Sequence, residues 1–302
     1  MRISFLLLLL VLLGPLSSAL AAQGSAEKLA ATGRCSQSSK LKDQQKFGDF
    51  VIRIYEREEF EDCVEVLRKN RLAFARRAEG RLVIGNDVNR GSDTDVYHPP
   101  VIPVGTDITG LGKPDLILNE WSGGAHCCFT LHVLELSDHP REIAIVHAQD
   151  SDYAHFEDLD HNGTYEFVGS DFTFAYWHAG FLQSPAPRIV LRFNGNGYEL
   201  APDLMHKPAP STANLEAAEH QVRTGDWQAE YPPPVLWDTM LDLIYTGHSD
   251  LAWKFLDGAW IAGRPGKNGF LRDFCGKLAT SPYFQKLRPT ISSAPCTFTP
   301  RK

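Results

Sequence analysis

A nine-residue pattern of acid, glycine and acid occurs twice in this chain. Residues 158–166 read Asp158, Leu159, Asp160, His161, Asn162, Gly163, Thr164, Tyr165, Glu166, with oxygen-bearing side chains at positions 1, 3, 5 and 9 and glycine at position 6. Residues 107–115 read Asp107, Ile108, Thr109, Gly110, Leu111, Gly112, Lys113, Pro114, Asp115, and keep acid, glycine and acid at positions 1, 6 and 9. An apolar pair follows each string, Leu116-Ile117 in one case and Phe167-Val168 in the other. The strings begin 51 residues apart, a period in the range of propeller blades. A repeat unit of that kind cannot bury its own apolar face alone, so neighbouring units are expected to stack.

The text around the repeat is strand-like from residue 47 to residue 200. Short runs such as Phe50-Val51-Ile52-Arg53-Ile54-Tyr55, Arg81-Leu82-Val83-Ile84 and Leu131-His132-Val133-Leu134-Glu135-Leu136 sit between Gly, Asp, Asn and Pro clusters. Residues 188–193 and 198–200, joined by Asn194-Gly195-Asn196-Gly197, predict a hairpin with a tight turn. Phe172, Phe174 and Tyr176 alternate with smaller residues, as on one face of a strand. Residues 201–234 are rich in proline and read as a linker with a short helical patch near 213–222. From Val235 the period turns helical. Leu236, Met240 and Ile244 share one face, and Gly247 ends that helix. Ser249 then caps a second helix, whose stripe includes Ala252, Leu256 and Ala259, and Phe270, Phe274 and Leu278 suggest a third. The expected class is α+β: a β-rich, propeller-like domain (47–200), small or incomplete, then the linker (201–234), a helical region (235–290) and a tail (291–302).

The string at 158–166 has the chemistry of a calcium loop. Calcium takes six to eight oxygen ligands, and alternate short acidic or amide side chains before a glycine turn can fold around one point. Asp158, Asp160, Asn162 and Glu166 supply side-chain oxygens, Thr164 a backbone carbonyl, and Gly163 the sharp turn. Asp150, Asp152 and Glu157 add acid nearby, and so much like charge calls for a cation. The bland alternative is a solvated Asx-rich turn. Asn162-Gly163-Thr164 is also a glycosylation sequon, an accidental one if Asn162 binds an ion. In the other string Asp107, Thr109 and Asp115 remain, but position 5 is Leu111, so a weak ion site or none is expected, with Lys113 as an internal counter-charge. A third acidic stretch, 87–95, has different spacing and reads as a surface turn.

These strings resemble the D-x-[DN]-x-[DN]-G-x-x-[DE] loops of FG-GAP and VCBS-type repeats in secreted and surface proteins. In those families the loops bind Ca2+ between propeller strands. Residues 105–128, with Asp115-Leu116 and Ser122-Gly123-Gly124-Ala125-His126-Cys127-Cys128, also resemble exported bacterial proteins of unassigned role. The likeness covers residues 100–200, about a third of the chain. A full propeller needs four or more blades, whereas 47–200 holds three blade-lengths.

Export is expected from the first residues. Arg2 precedes the stretch 3–13, apolar but for Ser4, Gly14-Pro15 breaks it, and Ala19-Leu20-Ala21 offers a cleavage site, so residues 1–22 read as a signal peptide and 23–46 as a leader. The run is too short to cross a bilayer, and no later stretch qualifies, so no transmembrane segment is expected after signal removal. A periplasmic or secreted location makes Cys35, Cys63, Cys127, Cys128, Cys275 and Cys296 disulfide candidates. Cys275 with Cys296 would close a short loop. Adjacent Cys127 and Cys128 read as strand neighbours pointing to opposite faces toward different partners.

Two functions follow as expectations. The first is a calcium-stabilised binding or structural module with a protein or glycan ligand. The second is a hydrolase of cell-wall or carbohydrate material, drawing on Asp150, Asp152 and Glu157, with Trp121, Phe172, Phe174, Tyr176 and Trp177 available to stack on sugar rings. Ser122 lies outside a G-x-S-x-G elbow, and Cys128 with His126 is a weak nucleophile pair beside the disulfide reading, so no catalytic residue is assigned. With 30 basic against 37 acidic residues and no basic patch, nucleic acid is excluded as the main partner.

Overall fold

Side chains alternate between the two faces of a strand, so a strand buried at successive positions, as residues 115–120 are, must be covered on both sides. That condition sets the order of layers in this protein. A computed structural model describes residues 35, 40–57, 60–88, 97–124, 128–151, 153–228, 231–291 and 295–296. The reading of 1–22 as a signal peptide, the stretch 89–96, and Ala125, His126, Cys127 and Asp152 lie outside the described residues.

Among the described residues, twelve strands form three four-stranded antiparallel sheets, each a meander in chain order. The first contains β1 (Lys40–Phe47), β2 (Phe50–Glu56), β3 (Asp62–Arg68) and β4 (Arg71–Arg77). The second contains β5 (Arg81–Ile84), β6 (Asp115–Trp121), β7 (Phe129–Glu135) and β8 (Arg141–Gln149). The third contains β9 (His155–Glu157), β10 (Glu166–Ser170), β11 (Arg188–Phe193) and β12 (Tyr198–Leu200). Among the described residues six helices follow: α1 (Pro202–Met205), α2 (Thr212–Thr224), α3 (Val235–Tyr245), α4 (Ser249–Ala259), α5 (Lys267–Leu278) and α6 (Phe284–Leu287). The class is α+β, and among the described residues the sheets close no propeller.

The second sheet is the middle layer. Leu116, Leu118 and Leu134 pack with Ile52, Ile54, Val64 and Val66 of the first sheet, while Ile117, Leu131 and Val133 join Phe167, Ile189 and Leu191 of the third. The same core continues from the third sheet into Leu236, Trp237, Met240, Phe270 and Phe274 of the helices. Polar ties fix the stacking. Buried Asp62 takes a hydrogen bond from Lys42 (2.7 Å) and, across to the second sheet, from Arg81 (3.0 Å) and the Leu82 N–H (2.8 Å). Buried Asn86 exchanges two hydrogen bonds with the Phe156 backbone, as a strand neighbour would, and pins the second sheet to the third.

Several expected elements form where the pattern placed them. The hairpin of β11 and β12 turns through Asn194–Gly197, with the Asn194 N–H bonded to the Gly197 carbonyl (3.0 Å). The three helices after Val235 are α3, α4 and α5, and Gly247, at φ +89°, ends the first of them. Others differ. β1 begins at Lys40, inside the stretch read as a leader, and the proline-rich stretch holds α1 in addition to α2, the helix expected near 213–222, with Val222 fully buried. Phe172–Phe174 is a 3-10 turn, not a strand, because Asp171 accepts from both the N–H and the hydroxyl of Thr173 and bends the chain locally. His248, not Ser249, is the residue that precedes α4, and the Ser249 hydroxyl donates to the Thr290 carbonyl instead.

Disulfides join Cys35 to Cys63 and Cys275 to Cys296. Cys128 is also disulfide-bonded, so it offers no free thiol to a nucleophilic mechanism. Since Cys35, Cys63, Cys275 and Cys296 pair among themselves, none of them meets Cys128, which overturns the expectation of a distant partner from that set.

Candidate functional site

The two repeated strings occupy equivalent places. Each leads into the second strand of its sheet: Asp115 opens β6 and Glu166 opens β10. In each, the first aspartate accepts two backbone N–H bonds from residues four and five further on. For Asp107 the donors are Leu111 (3.2 Å) and Gly112 (2.7 Å), and for Asp158 they are Asn162 (3.0 Å) and Gly163 (3.1 Å). In each, the acid at position 9 accepts from the N–H at position 2, Ile108 (3.0 Å) or Leu159 (3.2 Å). Gly112 and Gly163 sit at φ +70° and +87°, where a side chain would be strained.

The strings also touch. The Tyr165 N–H donates to the Ile108 carbonyl (2.8 Å). Gly110, at φ +71°, lies so close to Thr164 that a Cβ there would stand 2.4 Å from its methyl group. A Gly110→Ala variant should therefore lose about 1–3 kcal/mol in urea unfolding, from positive φ and overpacking together. Adding Thr164→Ser, which removes the obstructing methyl, should restore part of the loss. An unchanged midpoint in the single variant would show that the loops do not interlock.

The 158–166 string gathers three acids. Asp158, Asp160 and Glu166 each place a carboxylate oxygen within 4.8 Å of the others. Ligands on opposite sides of one calcium ion stand about 4.6–5.2 Å apart, so these oxygens are close enough to share a centre. Glu166 is fully buried and Asp160 exposed, so the cluster spans the surface. Asn162 and Thr164 are turned toward each other: the Asn162 carbonyl oxygen accepts from the Thr164 N–H (2.7 Å) and from its hydroxyl. Glu157 is outside the cluster, exposed and paired with His155 (3.2 Å).

One cationic residue at the cluster was not foreseen. The Arg192 guanidinium on β11 reaches Glu166 (3.4 Å), Asp160 (3.7 Å) and Asp203 at the start of α1 (3.1 Å). Nothing in the spacing of Arg192 marks it, since it arrives through sheet pairing 26 residues beyond Glu166.

The 107–115 string keeps the turn but spends its acids on its own backbone. Asp115 is buried, and one of its oxygens accepts from the Ile108 N–H, the Thr109 N–H (3.2 Å) and the Thr109 hydroxyl (2.9 Å). Its other oxygen has no hydrogen-bond partner among the described residues. Burial pushes the Asp115 carboxyl up to about 6, against the Thr109 and Ile108 hydrogen bonds that favour its charged form. Thr109 is also held by this carboxylate, and Leu111 fills the position where the other string has Asn162. Lys113 is exposed and forms no ion pair among the described residues, so the counter-charge expected of it is not found there.

No known protein family, curated protein or solved structure matches the chain.

Proposed function

We propose that the chain is an exported binding module of the periplasm or cell exterior whose β part, built of incomplete propeller-like units of the FG-GAP or VCBS kind, is stabilised by Ca2+ at the 158–166 loop. The observation that carries this reading is the convergence of the Asp158, Asp160 and Glu166 carboxylates within 4.8 Å of one another, on a turn that the 107–115 string repeats without the same acids. The Cys35–Cys63 and Cys275–Cys296 bridges favour an oxidising compartment, and no helix among the described residues is long and apolar enough to cross a membrane. Asp158, Asp160 and Glu166 would hold the ion through side chains. It would neutralise their mutual repulsion and lock the loop against the third sheet.

Arg192 supplies the test. It neutralises Glu166 and Asp160 in part, and it has a third carboxylate, Asp203, to fall back on. Calcium should raise the melting temperature after EDTA treatment, by an amount equivalent to about 2.7 kcal/mol at a hundredfold excess over Kd. In Arg192→Gln the metal-free protein should melt lower, and calcium should restore more than it adds to the native chain, because the competing cation is gone. In Asp158→Ala with Asp160→Ala the calcium response should vanish. Equal melts with EDTA and with calcium, in both the native chain and Arg192→Gln, would leave the guanidinium as the cluster's sole counter-charge and end the calcium reading.

A further inference from the structure

A cleft of about 700 Å3 opens where the loop after the third sheet's second strand meets the segment between α2 and α3. That volume is in the range of small-molecule sites. Its walls carry His178, Gln183, Asp226, Gln228 and Tyr231, and three consecutive prolines at 232–234 add an apolar side.

The cleft has a built platform. The His178 ring lies on the Tyr231 ring at 3.6 Å between centroids and 20° between planes. Beside this stack Trp177 packs edge-on to Tyr231, Trp237 and Phe174, and Trp237 and Phe174 belong to the buried core. The Tyr231 hydroxyl donates to Asp273 on α5 (2.6 Å), which fixes the ring's rotation. Tyr176 and His178 both have positive φ, 59° and 52°, in residues with full side chains. Such backbone costs of order 1–3 kcal/mol per residue and persists only where the surroundings over-determine it, and it concentrates at ligand-holding segments. Here packing of Trp177 into the aromatic core holds the chain in that shape and delivers His178 to the cleft.

The chemistry of the walls selects a ligand class. Gln183 and Gln228 each offer a donor and an acceptor, and Asp226 accepts. Burial lowers the His178 pKa, and although Asp273 works against it, the imidazole is favoured neutral, with one donor and one acceptor nitrogen. Hydroxyl groups, which donate and accept at once, are the natural complement to such a set. Among the described residues lining the cleft there is no Lys or Arg, so a phosphate or carboxylate ligand would find no counter-charge and would meet Asp226. The exposed His178 ring, backed by Tyr231, and Pro234 beside it suit the apolar C–H face of a sugar ring.

We propose that this cleft binds a neutral saccharide, with the His178–Tyr231 stack and Pro234 against a ring face and Gln183, Asp226 and Gln228 on its hydroxyls. The inference rests on the reading of the chain as a binding module but not on calcium, because no cleft residue belongs to the 158–166 loop. It is tested by titrating the full chain with neutral oligosaccharides (β-1,4-linked N-acetylglucosamine, glucose and mannose oligomers of four units), read by tryptophan fluorescence and calorimetry with EDTA and with calcium. At least one should bind. Tyr231→Ala should weaken it by about tenfold. Since Tyr231 also braces α5, the exposed pair Gln183→Ala with Gln228→Ala is the second variant and should weaken binding by at least as much while the melting temperature stays within about 1 °C of native. No binding by any of the sugars would overturn the proposal. So would sugar binding that both variants leave unchanged, which would place the ligand elsewhere and leave the binding-module reading standing. Choline, added as a cationic control, should not bind, and binding of choline in place of sugars would overturn the ligand class. A failed calcium response with sugar binding intact would remove the ion and keep the cleft.

Discussion

Replacing Asp171 by alanine should destabilise the protein by about 3–5 kcal/mol. Asp171 is 1% exposed and sits where the third sheet gives way to the helices. One carboxylate oxygen accepts from the Tyr245 hydroxyl at the end of α3 (2.5 Å) and from the Ser281 hydroxyl after α5 (2.5 Å). The other accepts from the N–H (2.8 Å) and hydroxyl of Thr173. Bonds to a buried charged acceptor are the strong kind, and removing the acceptor leaves the Tyr245 and Ser281 hydroxyls buried with a donor each to satisfy, at about 1–3 kcal/mol apiece. Asp171→Asn keeps the shape and one acceptor, and hydroxyls can turn to accept from its amide, so a loss of about 1–2 kcal/mol is expected. Urea unfolding of the two variants separates the terms. A loss under about 1 kcal/mol in Asp171→Ala would show that the sheet and helix layers are joined by apolar packing alone.

The contrast between Asp171 and the helices it holds shows what the sequence could reveal. The faces of α3 and α4 were legible because a 3.6-residue period places Leu236, Met240 and Ile244, or Ala252, Leu256 and Ala259, in one buried stripe. The repeated strings were legible because their hydrogen bonds are local, running from Asp107 or Asp158 to residues four and five away. Asp171 was not, because its partners are 74 and 110 residues distant and no spacing encodes such a meeting. The aromatics after it misled for a related reason. Phe172, Phe174 and Tyr176 have the period of a strand, but a local side-chain cap at Asp171 competes with the sheet and wins. Arg192 at the acidic loop and the His178–Tyr231 stack at the cleft escaped notice in the same way, since both are products of tertiary pairing.

A second large effect is expected at the junction of the first and second sheets, where four charged or titratable groups converge from four strands. Arg76 on β4 reaches Glu120 on β6 (3.2 Å) and Glu142 on β8 (2.5 Å). His132 on β7, 2% exposed, lies between the same two carboxylates at 3.1 and 3.3 Å. The Glu79 N–H also donates to Glu120 (2.9 Å). With a neutral imidazole the group carries one guanidinium against two carboxylates, and a protonated imidazole brings it to balance. Glu120→Ala should cost about 3 kcal/mol, the low end for breaking a buried pair, because Arg76 is 28% exposed and can turn toward water.

The pH dependence of this junction has a definite sign. Burial and the neighbouring Arg76 guanidinium oppose a charged His132, but the hydrogen bonds it donates to Glu120 and Glu142 outweigh them and raise its pKa above the ordinary 6.5. Its contribution is therefore fully present below pH 6.5 and is lost as pH rises through the folded value. For Glu120 and Glu142 burial again opposes the charge, and His132 and Arg76 overcome it, so both pKa values fall below 4.5. Their contribution is present above pH 4.5 and is lost as pH falls through the folded values. The native chain should lose stability at this junction on going from pH 6 to pH 8. In His132→Gln that loss should be absent, leaving only the slope shared by the rest of the molecule, while the decline below pH 4.5 should persist because Arg76 still holds both carboxylates. Parallel stability curves for the two proteins between pH 6 and pH 8 would mean that His132 stays neutral in the folded state, with Arg76 alone balancing the two acids.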